Sequence, residues 1–355
     1  MYDKRALVVG ATGVSGSNVV QHLLGRGDWQ VTGLSRAPSA GTSGAAHIAV
    51  DISDAAATRD RLADLATTHL FFCAWTMGSS EDDNCARNGA MLTNTLDALR
   101  PAASLRHVGI VTGMKHYLGP FEDFARNTPV TPFREDAPRL LGKNFYYVLE
   151  DILAERGKAD GFRWNVHRSQ MIIGYAMSNL MNMAVTIAVY AALCKATGLP
   201  FYFPGHPTTH YGLNDVTDAR ILAQQMVWAA EEPNAANEAF NVANGEVIRW
   251  RELWADLAGY FDLPVAEYPG HHVPLKGVMA DLDGAWDGLV VAHGLQPVSL
   301  RKLDSSWFTD LDLGRPMECV NSLAKARRLG FTGFQDTRRS FFDVFDQLRQ
   351  KRIIP

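Results

Sequence analysis

Cysteines are scarce in this sequence, and their spacing excludes a metal centre or a disulfide framework. The 355 residues contain four of them, Cys73, Cys85, Cys194 and Cys319, and no two stand in a Cys-x-x-Cys pair. This spacing matches neither a zinc site nor the set of bridges of a small secreted domain. We therefore expect no metal and a location in the reducing cytoplasm.

An excess of charge of one sign is also missing. Lys and Arg number 34 and Asp and Glu number 38, which gives a net charge of −4, and neither sign forms a long block. Proteins that bind nucleic acids carry a basic patch or stripe, so a nucleic acid is not an expected partner. The expected ligand is a small molecule.

Long hydrophobic runs are absent as well. The longest apolar stretch extends from Leu180 to Cys194 and is interrupted by Asn182 and Thr186, whereas a membrane-spanning helix needs about 20 residues. The run Ala6–Val9 is too short for a signal peptide. No membrane partner is expected, and the apolar stretch is interpreted as a buried helix.

What the sequence does contain is an alternation of strand and helix patterns. Hydrophobic residues make up 47% and charged residues 20%, as in globular proteins. Nearly continuous apolar runs predict parallel strands covered on both faces, and hence an α/β fold with a doubly wound parallel sheet. The predicted strands are Ala6–Val9, Gln30–Leu34, His47–Val50, Leu70–Cys73, His107–Val111, Trp164–Arg168 and Phe240–Ala243. The predicted helices are Ser17–Arg26, Met91–Leu99, Asn144–Arg156, Ser178–Thr197, Asp215–Ala230 (capped by Asp215), Trp250–Phe261, Val320–Leu329 and Thr337–Lys351.

A glycine-rich loop joins the first strand to the first helix. It reads Gly10-Ala11-Thr12-Gly13-Val14-Ser15-Gly16. Glycines at this place let backbone N–H groups approach a pyrophosphate at the helix N-terminus. We therefore predict a dinucleotide site that includes Gly10, Thr12, Gly13, Val14 and Gly16.

The residues after the second strand predict NADPH rather than NADH. An NAD site would place Asp or Glu there to bind the ribose 2′-hydroxyl, whereas this chain has Ser35 and Arg36. A guanidinium group suits a 2′-phosphate, although Arg36 as an ordinary surface cation is the alternative. Asp51 and Ile52, after the third strand, are assigned to the adenine, with a helix-capping role for Asp51 as the alternative.

The glycine spacing is typical of short-chain dehydrogenases, but their usual catalytic pair is missing. That pair is Tyr and Lys four residues apart, and here Glu150 follows Tyr146 at that distance. A phenol is a weak acid near neutral pH unless a cation stabilises its ionised form. Lys115 and Lys143 are the candidates, and Lys115 is preferred because it follows a strand at the carboxyl edge of the sheet, where ligands bind. The adjacent carboxyl groups of Glu150 and Asp151 point apart on a helix and are expected to be solvated.

Three longer stretches resemble the progesterone 5β-reductase/iridoid synthase-like reductases. They are Thr112–Phe121 (TGMKHYLGPF), Asn144–Ile152 (NFYYVLEDI) and Glu238–Gly245 (EAFNVANG), and the similarity covers essentially the whole chain. The resemblance implies an atypical short-chain dehydrogenase, of a bacterial type, that reduces the activated C=C bond of enones with NADPH. It also implies that Lys115 and Tyr146 are catalytic.

The same resemblance places further residues around the nicotinamide. Ala74, Trp75, Thr112, Met171 and Ile172 are assigned to the cofactor. The substrate pocket is assigned to Trp75, Phe121, Tyr146 and Tyr175. The family has Arg-Pro where this chain has Arg168 and Ser169. Because that loop borders the substrate, the sequence does not predict which enone is used.

The sequence thus predicts a Rossmann fold of the extended short-chain dehydrogenase type with a smaller, discontinuous substrate region. Residues 1–174, joined by 208–245, are assigned to the NADP-binding domain, and 175–207 and 246–355 to substrate binding. The expected function is 1,4-reduction of a steroid-type or smaller enone ketone or aldehyde. Ordinary carbonyl reduction and a catalytically silent NADP-sensing regulator are the alternatives. The sequence leaves open whether the protein forms a homodimer.

Overall fold

A seven-stranded parallel sheet forms the centre of the fold. The computed structural model describes residues 3–37, 42–123, 126–176 and 181–355. The sheet has the order β3-β2-β1-β4-β5-β6-β9, and β7 and β8 form a separate parallel pair. The strands are β1 Lys4–Val9, β2 Trp29–Ser35, β3 Ala46–Ala49, β4 His69–Phe72, β5 His107–Gly113, β6 Arg163–Ser169, β7 Ile172–Ile173, β8 Thr217–Asp218 and β9 Glu238–Val242. The order reverses direction between β1 and β4, so a crevice for ligands opens at their carboxyl ends.

Helices cover both faces of this sheet and build the C-terminal region. In the first half they are α1 Val14–Arg26, α2 Ala55–Leu62, α3 Glu81–Leu99, α4 Lys115–Leu118 and α5 Phe145–Asp160. In the second half they are α6 Met183–Thr197, α7 Pro207–Tyr211, α8 Ala219–Glu231, α9 Trp250–Tyr260, α10 Leu275–Val278, α11 Asp283–His293, α12 Leu300–Leu303, α13 Ser306–Leu313, α14 Ala324–Arg328 and α15 Thr337–Gln350.

The alternating direction of the side chains along β1 explains why helices cover both faces of the sheet. Leu7 and Val9 of β1 pack into one hydrophobic cluster with residues of α3 and α5, whereas Ala6 and Val8 pack into another with residues of α1 and α8. Side chains in a strand point to opposite faces in turn, so an unbroken apolar run requires two cores. The prediction of a doubly wound sheet is confirmed.

A third hydrophobic cluster lies in the C-terminal half. Trp250, Trp254, Trp286 and Tyr190 are fully buried in it, and α6 is buried on all sides over Met183–Cys194. The predicted start of this helix at Ser178 lies outside the described residues. None of the helices in the described part of the chain is long and apolar enough to cross a membrane.

The predicted cap of the helix after residue 215 is wrong. Helix α8 begins at Ala219, and its cap is Asp218, whose carboxylate accepts the backbone N–H of Arg220. The Asp215 carboxylate instead accepts hydrogen bonds from the backbone and side-chain amides of Asn321, at 2.7 and 2.8 Å. Asp215 therefore makes a tertiary contact with Asn321 and does not cap the helix, although its local spacing predicted a cap.

Two other predicted helices have different lengths. The helix predicted over Met91–Leu99 begins ten residues earlier, at Glu81, where Ser80 caps it by accepting the N–H of Asp83. The helix predicted over Val320–Leu329 is reduced to α14. The earlier start of α3 matters for function because it places Glu81 beside the candidate site.

Candidate active site

The glycine loop is shaped by close approaches of the backbone. Gly10 has φ +79°, and a Cβ on it would lie 2.9 Å from the backbone nitrogen of Ala74. A Cβ on Gly16 would lie 2.2 Å from the carbonyl oxygen of Gly10. Helix α1 starts after Gly13 with no side-chain cap and no acidic residue in its first turn. The helix N-terminus is therefore open to an anion, as a pyrophosphate site requires.

A cavity of about 1550 Å³ extends from this loop across the carboxyl ends of the first strands. Most residues predicted for the nucleotide line it: Gly10, Thr12, Gly13, Ser35, Arg36, Asp51, Ile52, Ala74 and Trp75. Gly16 does not line it; it packs closely against the carbonyl group of Gly10 within the loop. Asn18, Ser43 and Arg87 also line this cavity and were missed, because nothing in their local sequence marks them.

Ser35 and Arg36, which are predicted to bind the 2′-phosphate of the ribose, line this larger cavity. The Ser35 hydroxyl donates to the Ala37 carbonyl at 2.6 Å and lies 2.8 Å from Nε2 of His47. Arg36 is exposed next to it. Asp51 does not cap α2, because Asp54 does so; it accepts hydrogen bonds from the backbone N–H and hydroxyl of Ser53.

A second cavity, of about 160 Å³, adjoins the first and shares Gly13, Cys73, Ala74 and Trp75 with it. It contains both predicted catalytic residues. Besides Gly13 and Ala74, the predicted residues that line it are Val14, Trp75, Thr112, Lys115, Phe121, Tyr146, Met171 and Ile172. Tyr175, predicted for the substrate pocket, lines the larger cavity instead.

Lys115 is held in a buried, aromatic environment. Its side chain is 2% exposed, and Nζ lies 4.1 Å from the ring centre of Phe121 and 4.7 Å from that of Phe145. Nζ donates to Oε2 of Glu81 at 3.0 Å. Burial lowers the pKa of Lys115 and the carboxylate of Glu81 opposes this effect.

Lys143, the other candidate cation, is a surface residue. Its side chain is 72% exposed and pairs with Asp82 at 2.6 Å. It does not line the smaller cavity. The structure therefore brings Lys115, and not Lys143, to the site of Tyr146.

Tyr146 is placed by the start of α5. Asn144 caps this helix by accepting the N–H of Tyr146 at 3.0 Å, and its side-chain amide donates to the Lys115 carbonyl at 2.7 Å. Burial raises the pKa of the Tyr146 hydroxyl, and the charges of Glu81 and Asp312 raise it further. The phenol is therefore protonated near neutral pH and can act as a hydrogen-bond donor.

Two buried polar atoms at the smaller cavity fit a polar ring substituent such as a carboxamide. Thr112 Oγ1 and Gln170 Oε1 are buried, and neither has a hydrogen-bond partner among the described residues. Both residues line the smaller cavity. Buried polar atoms are almost always paired, and a polar group bound in this cavity would supply a partner for these two. Together with the loop at Gly10, they fit a nicotinamide dinucleotide.

Glu150, predicted to be solvated, is buried. Its side chain is 8% exposed, pairs with Arg168 at 3.2 Å and lies 3.4 Å from Nδ1 of His116. Arg139 reaches it from the surface. The prediction is wrong because the positive charges that surround Glu150 come from distant segments, which the local pattern does not show.

Glu81 and Asp312 are the carboxyl groups that sequence reasoning missed. Glu81 accepts hydrogen bonds from Lys115 Nζ, from the backbone N–H of Phe145 at 2.7 Å and from Asn84 Nδ2 at 2.9 Å. It therefore ties the lysine to the helix that carries Tyr146. The pattern Ser-Glu-Asp-Asp at residues 80–83 is a helix-start signal and could have extended α3, but not revealed these contacts.

Comparisons with solved structures reflect the fold. UDP-glucose 4-epimerase from Thermotoga maritima matches with a TM-score of 0.67 and 14% identity, covering 98% of this chain and 99% of that chain. The NAD complex of UDP-glucose 4-epimerase from Thermus thermophilus matches with a TM-score of 0.65 and 20% identity, covering 96% and 99%. At this identity the likeness concerns architecture alone.

Comparisons of sequence are more specific. The chain is 38% identical over 366 residues to (S)-8-oxocitronellyl enol synthase of Nepeta cataria, covering 100% of this chain and 94% of the relative. It is 39% identical over 370 residues to 3-oxo-Delta(4,5)-steroid 5-beta-reductase of Arabidopsis thaliana, with the same coverage. Neither relative supports the expected bacterial type. The model of the PRISE-like Rossmann-fold domain matches residues 48–355. The chain therefore belongs to the PRISE-like Rossmann-fold family, to which the motifs around Lys115 and Tyr146 pointed.

Proposed function

We propose that this protein is an NADPH-dependent reductase of the activated C=C bond of α,β-unsaturated ketones or aldehydes. The observation that carries the proposal is that Tyr146 and buried Lys115 share a cavity that adjoins the nucleotide cavity. The names of its relatives, an enol synthase and a steroid 5-beta-reductase, support it. Its place in the cell would be the cytoplasm, and a homodimer stays a prediction.

The cofactor would be held by the loop Gly10–Gly16 at its pyrophosphate and by Arg36 at its 2′-phosphate. Thr112 and Gln170 would bind polar atoms near the nicotinamide. The cofactor would supply a hydride. The chain's own residues decide which carbon of the substrate faces it.

Tyr146 and Lys115 would act on the carbonyl oxygen of the enone. The protonated phenol of Tyr146 donates a hydrogen bond to that oxygen as it gains negative charge, and the ammonium group of Lys115 adds positive charge nearby. Such stabilisation is strong in a cavity whose walls are largely apolar. Because an enolate is a weaker base than an alkoxide, a phenol with a raised pKa can stabilise it without giving up its proton. This favours reduction at the β-carbon over reduction of the carbonyl itself. The α-carbon of the enolate would then take a proton from solvent, which gives the saturated carbonyl compound.

The test is NADPH oxidation with a panel that runs from small cyclic enones to steroid enones, followed by identification of each product. Saturated carbonyl compounds are the expected products. Allylic alcohols would show a carbonyl reductase. Tight NADPH binding without turnover of any enone would show a regulator instead.

A further inference from the structure

A buried carboxyl group lies at the wall of the cavity assigned to the enone. Asp312, in α13, is 4% exposed and is the only acidic side chain among the described residues that line the smaller cavity. The rest of the wall around it is largely apolar, with Trp75, Phe121 and Phe308 among its members. The proposed mechanism makes no use of Asp312.

Asp312 is paired with a buried arginine. Its Oδ1 lies 3.1 Å from Nη2 of Arg315, and Nε of Arg315 donates to the Asp312 carbonyl at 3.0 Å. The two side chains are 6% and 2% exposed. The pair is neutral as a whole, so a second cation on the substrate would leave an unbalanced charge in this cavity.

The charge of this carboxylate has two opposite effects at the site. It raises the pKa of Tyr146, which keeps the phenol protonated, and it also opposes the negative charge that would form on the enolate oxygen. Buried ion pairs can often be replaced by apolar residues without loss of stability, so stability alone is a weak explanation for this pair. The place of Asp312 at the cavity wall offers another role, a contact with the bound substrate.

Burial raises the pKa of the Asp312 carboxyl, and the positive charge of Arg315 opposes this shift. In its ion pair with Arg315 the group is a carboxylate, which accepts hydrogen bonds and donates none. Its partner on a substrate must therefore be a donor, and the neutral charge of the pair favours an uncharged donor such as a hydroxyl group. Sites built to bind a hydroxyl discriminate against analogues that lack it, because a buried polar group is then left unpaired.

We propose that Asp312 is a specificity-determining residue that accepts a hydrogen bond from a hydroxyl group of the substrate, so that hydroxylated enones are the preferred substrates. This inference rests on the proposed enone reduction and adds the substrate class. This hydroxyl is a group other than the carbonyl oxygen that Tyr146 would bind.

The experiment measures kcat/KM for a parent enone without a hydroxyl and for analogues that carry one hydroxyl at successive positions away from the carbonyl. At least one analogue should exceed the parent by about tenfold or more in the wild-type protein, as expected for a hydrogen bond to a charged acceptor. Asp312→Asn keeps the shape and an acceptor but loses the charge, and should reduce this preference. The double variant Asp312→Leu/Arg315→Met removes both buried partners and should abolish it.

Asp215→Asn is the matched control. The Asp215 carboxyl is also buried, and its charge also raises the pKa of Arg315. Unlike Asp312, it does not line either cavity. The preference should be unchanged in this variant. If Asp215→Asn reduces the preference as Asp312→Asn does, the effect comes from Arg315 and the proposal is wrong.

Two further results would overturn it: no hydroxylated analogue exceeds the parent in the wild-type protein, or the preference survives in the double variant. NADPH affinity shows whether each variant is folded. The proposed function is tested separately, by formation of the saturated product from the parent enone. It can therefore hold even if the role of Asp312 does not.

Discussion

Replacement of Glu81 by glutamine tests whether Glu81 positions Lys115 and keeps its ammonium group protonated. Glu81 accepts Lys115 Nζ on one oxygen, at 3.0 Å, and the N–H of Phe145 on the other. Glutamine keeps the size of the side chain and an acceptor for Phe145, but its NH₂ group then faces Lys115 and Asn84. The substitution therefore removes both the negative charge and the acceptor for Lys115. With an effective dielectric constant of about 20, unit charges at this distance attract each other by about 5.5 kcal/mol.

The substitution should change the pH dependence of the reaction. Burial already lowers the pKa of Lys115, and Glu81 opposes this shift, so loss of the carboxylate lowers the pKa further. A lysine is protonated below its pKa, and activity that needs the ammonium group is therefore lost from the alkaline side. If solvent and relaxation cancel three quarters of the attraction, about 1.4 kcal/mol remains, which is a factor of about ten. We expect kcat to fall by up to about tenfold at alkaline pH, above the pKa of Lys115, and to change much less at acidic pH.

The assay is the pH profile of kcat for an enone at saturating NADPH, with NADPH affinity as the check on folding. Asp82→Asn is the control, because Asp82 is the next residue, is 65% exposed and pairs with Lys143 at the surface. Exposed pairs contribute little, so its profile should match that of the wild type. The reasoning is refuted if the alkaline limb of Glu81→Gln coincides with the wild-type limb or moves to higher pH.

Three further predictions concern the lysines, the cofactor and the glycine loop. Lys115→Met should lower kcat by roughly 10²-fold, on the scale of a lost oxyanion donor, with little change in NADPH affinity, whereas Lys143→Met should have a mild effect; the reverse order in steady-state kinetics would contradict the assignment. The wild-type protein should prefer NADPH over NADH by at least about tenfold in kcat/KM, and Arg36→Ala should remove most of this preference. Equal use of both cofactors by the wild-type protein would exclude the role of Arg36. Gly16→Ala should weaken NADPH binding at least about tenfold in calorimetry, because its Cβ would meet the Gly10 carbonyl. In the same helix, Gly25→Ala meets nothing within 4 Å and should leave affinity unchanged.

The sheet and the nucleotide loop could be predicted because their signals are local. The buried run Ala6–Val9 and the glycines after it specify a strand, a tight turn and a helix within a short segment. Lys115 could be placed at the carboxyl edge of the sheet for the same reason, since it follows β5 directly.

What the sequence did not reveal depends on contacts between distant segments. Spacing alone does not decide between Asp215 and Asp218 as the helix cap. Asp215 is bound instead by Asn321, 106 residues away, and Asp218 caps the helix. Glu81 reaches Lys115 across 34 residues. Asp312 belongs to a region whose short helices lack a strong periodic pattern, so nothing in the sequence connects it with Tyr146.

The central claim is that hydride reaches the β-carbon of an enone and not its carbonyl carbon. The direct measurement is mass and NMR analysis of the product formed with NADPH that carries deuterium at the transferred position of its nicotinamide. The account predicts a saturated carbonyl compound with deuterium at the β-carbon. An allylic alcohol with deuterium at the carbonyl carbon would contradict it and establish ordinary carbonyl reduction.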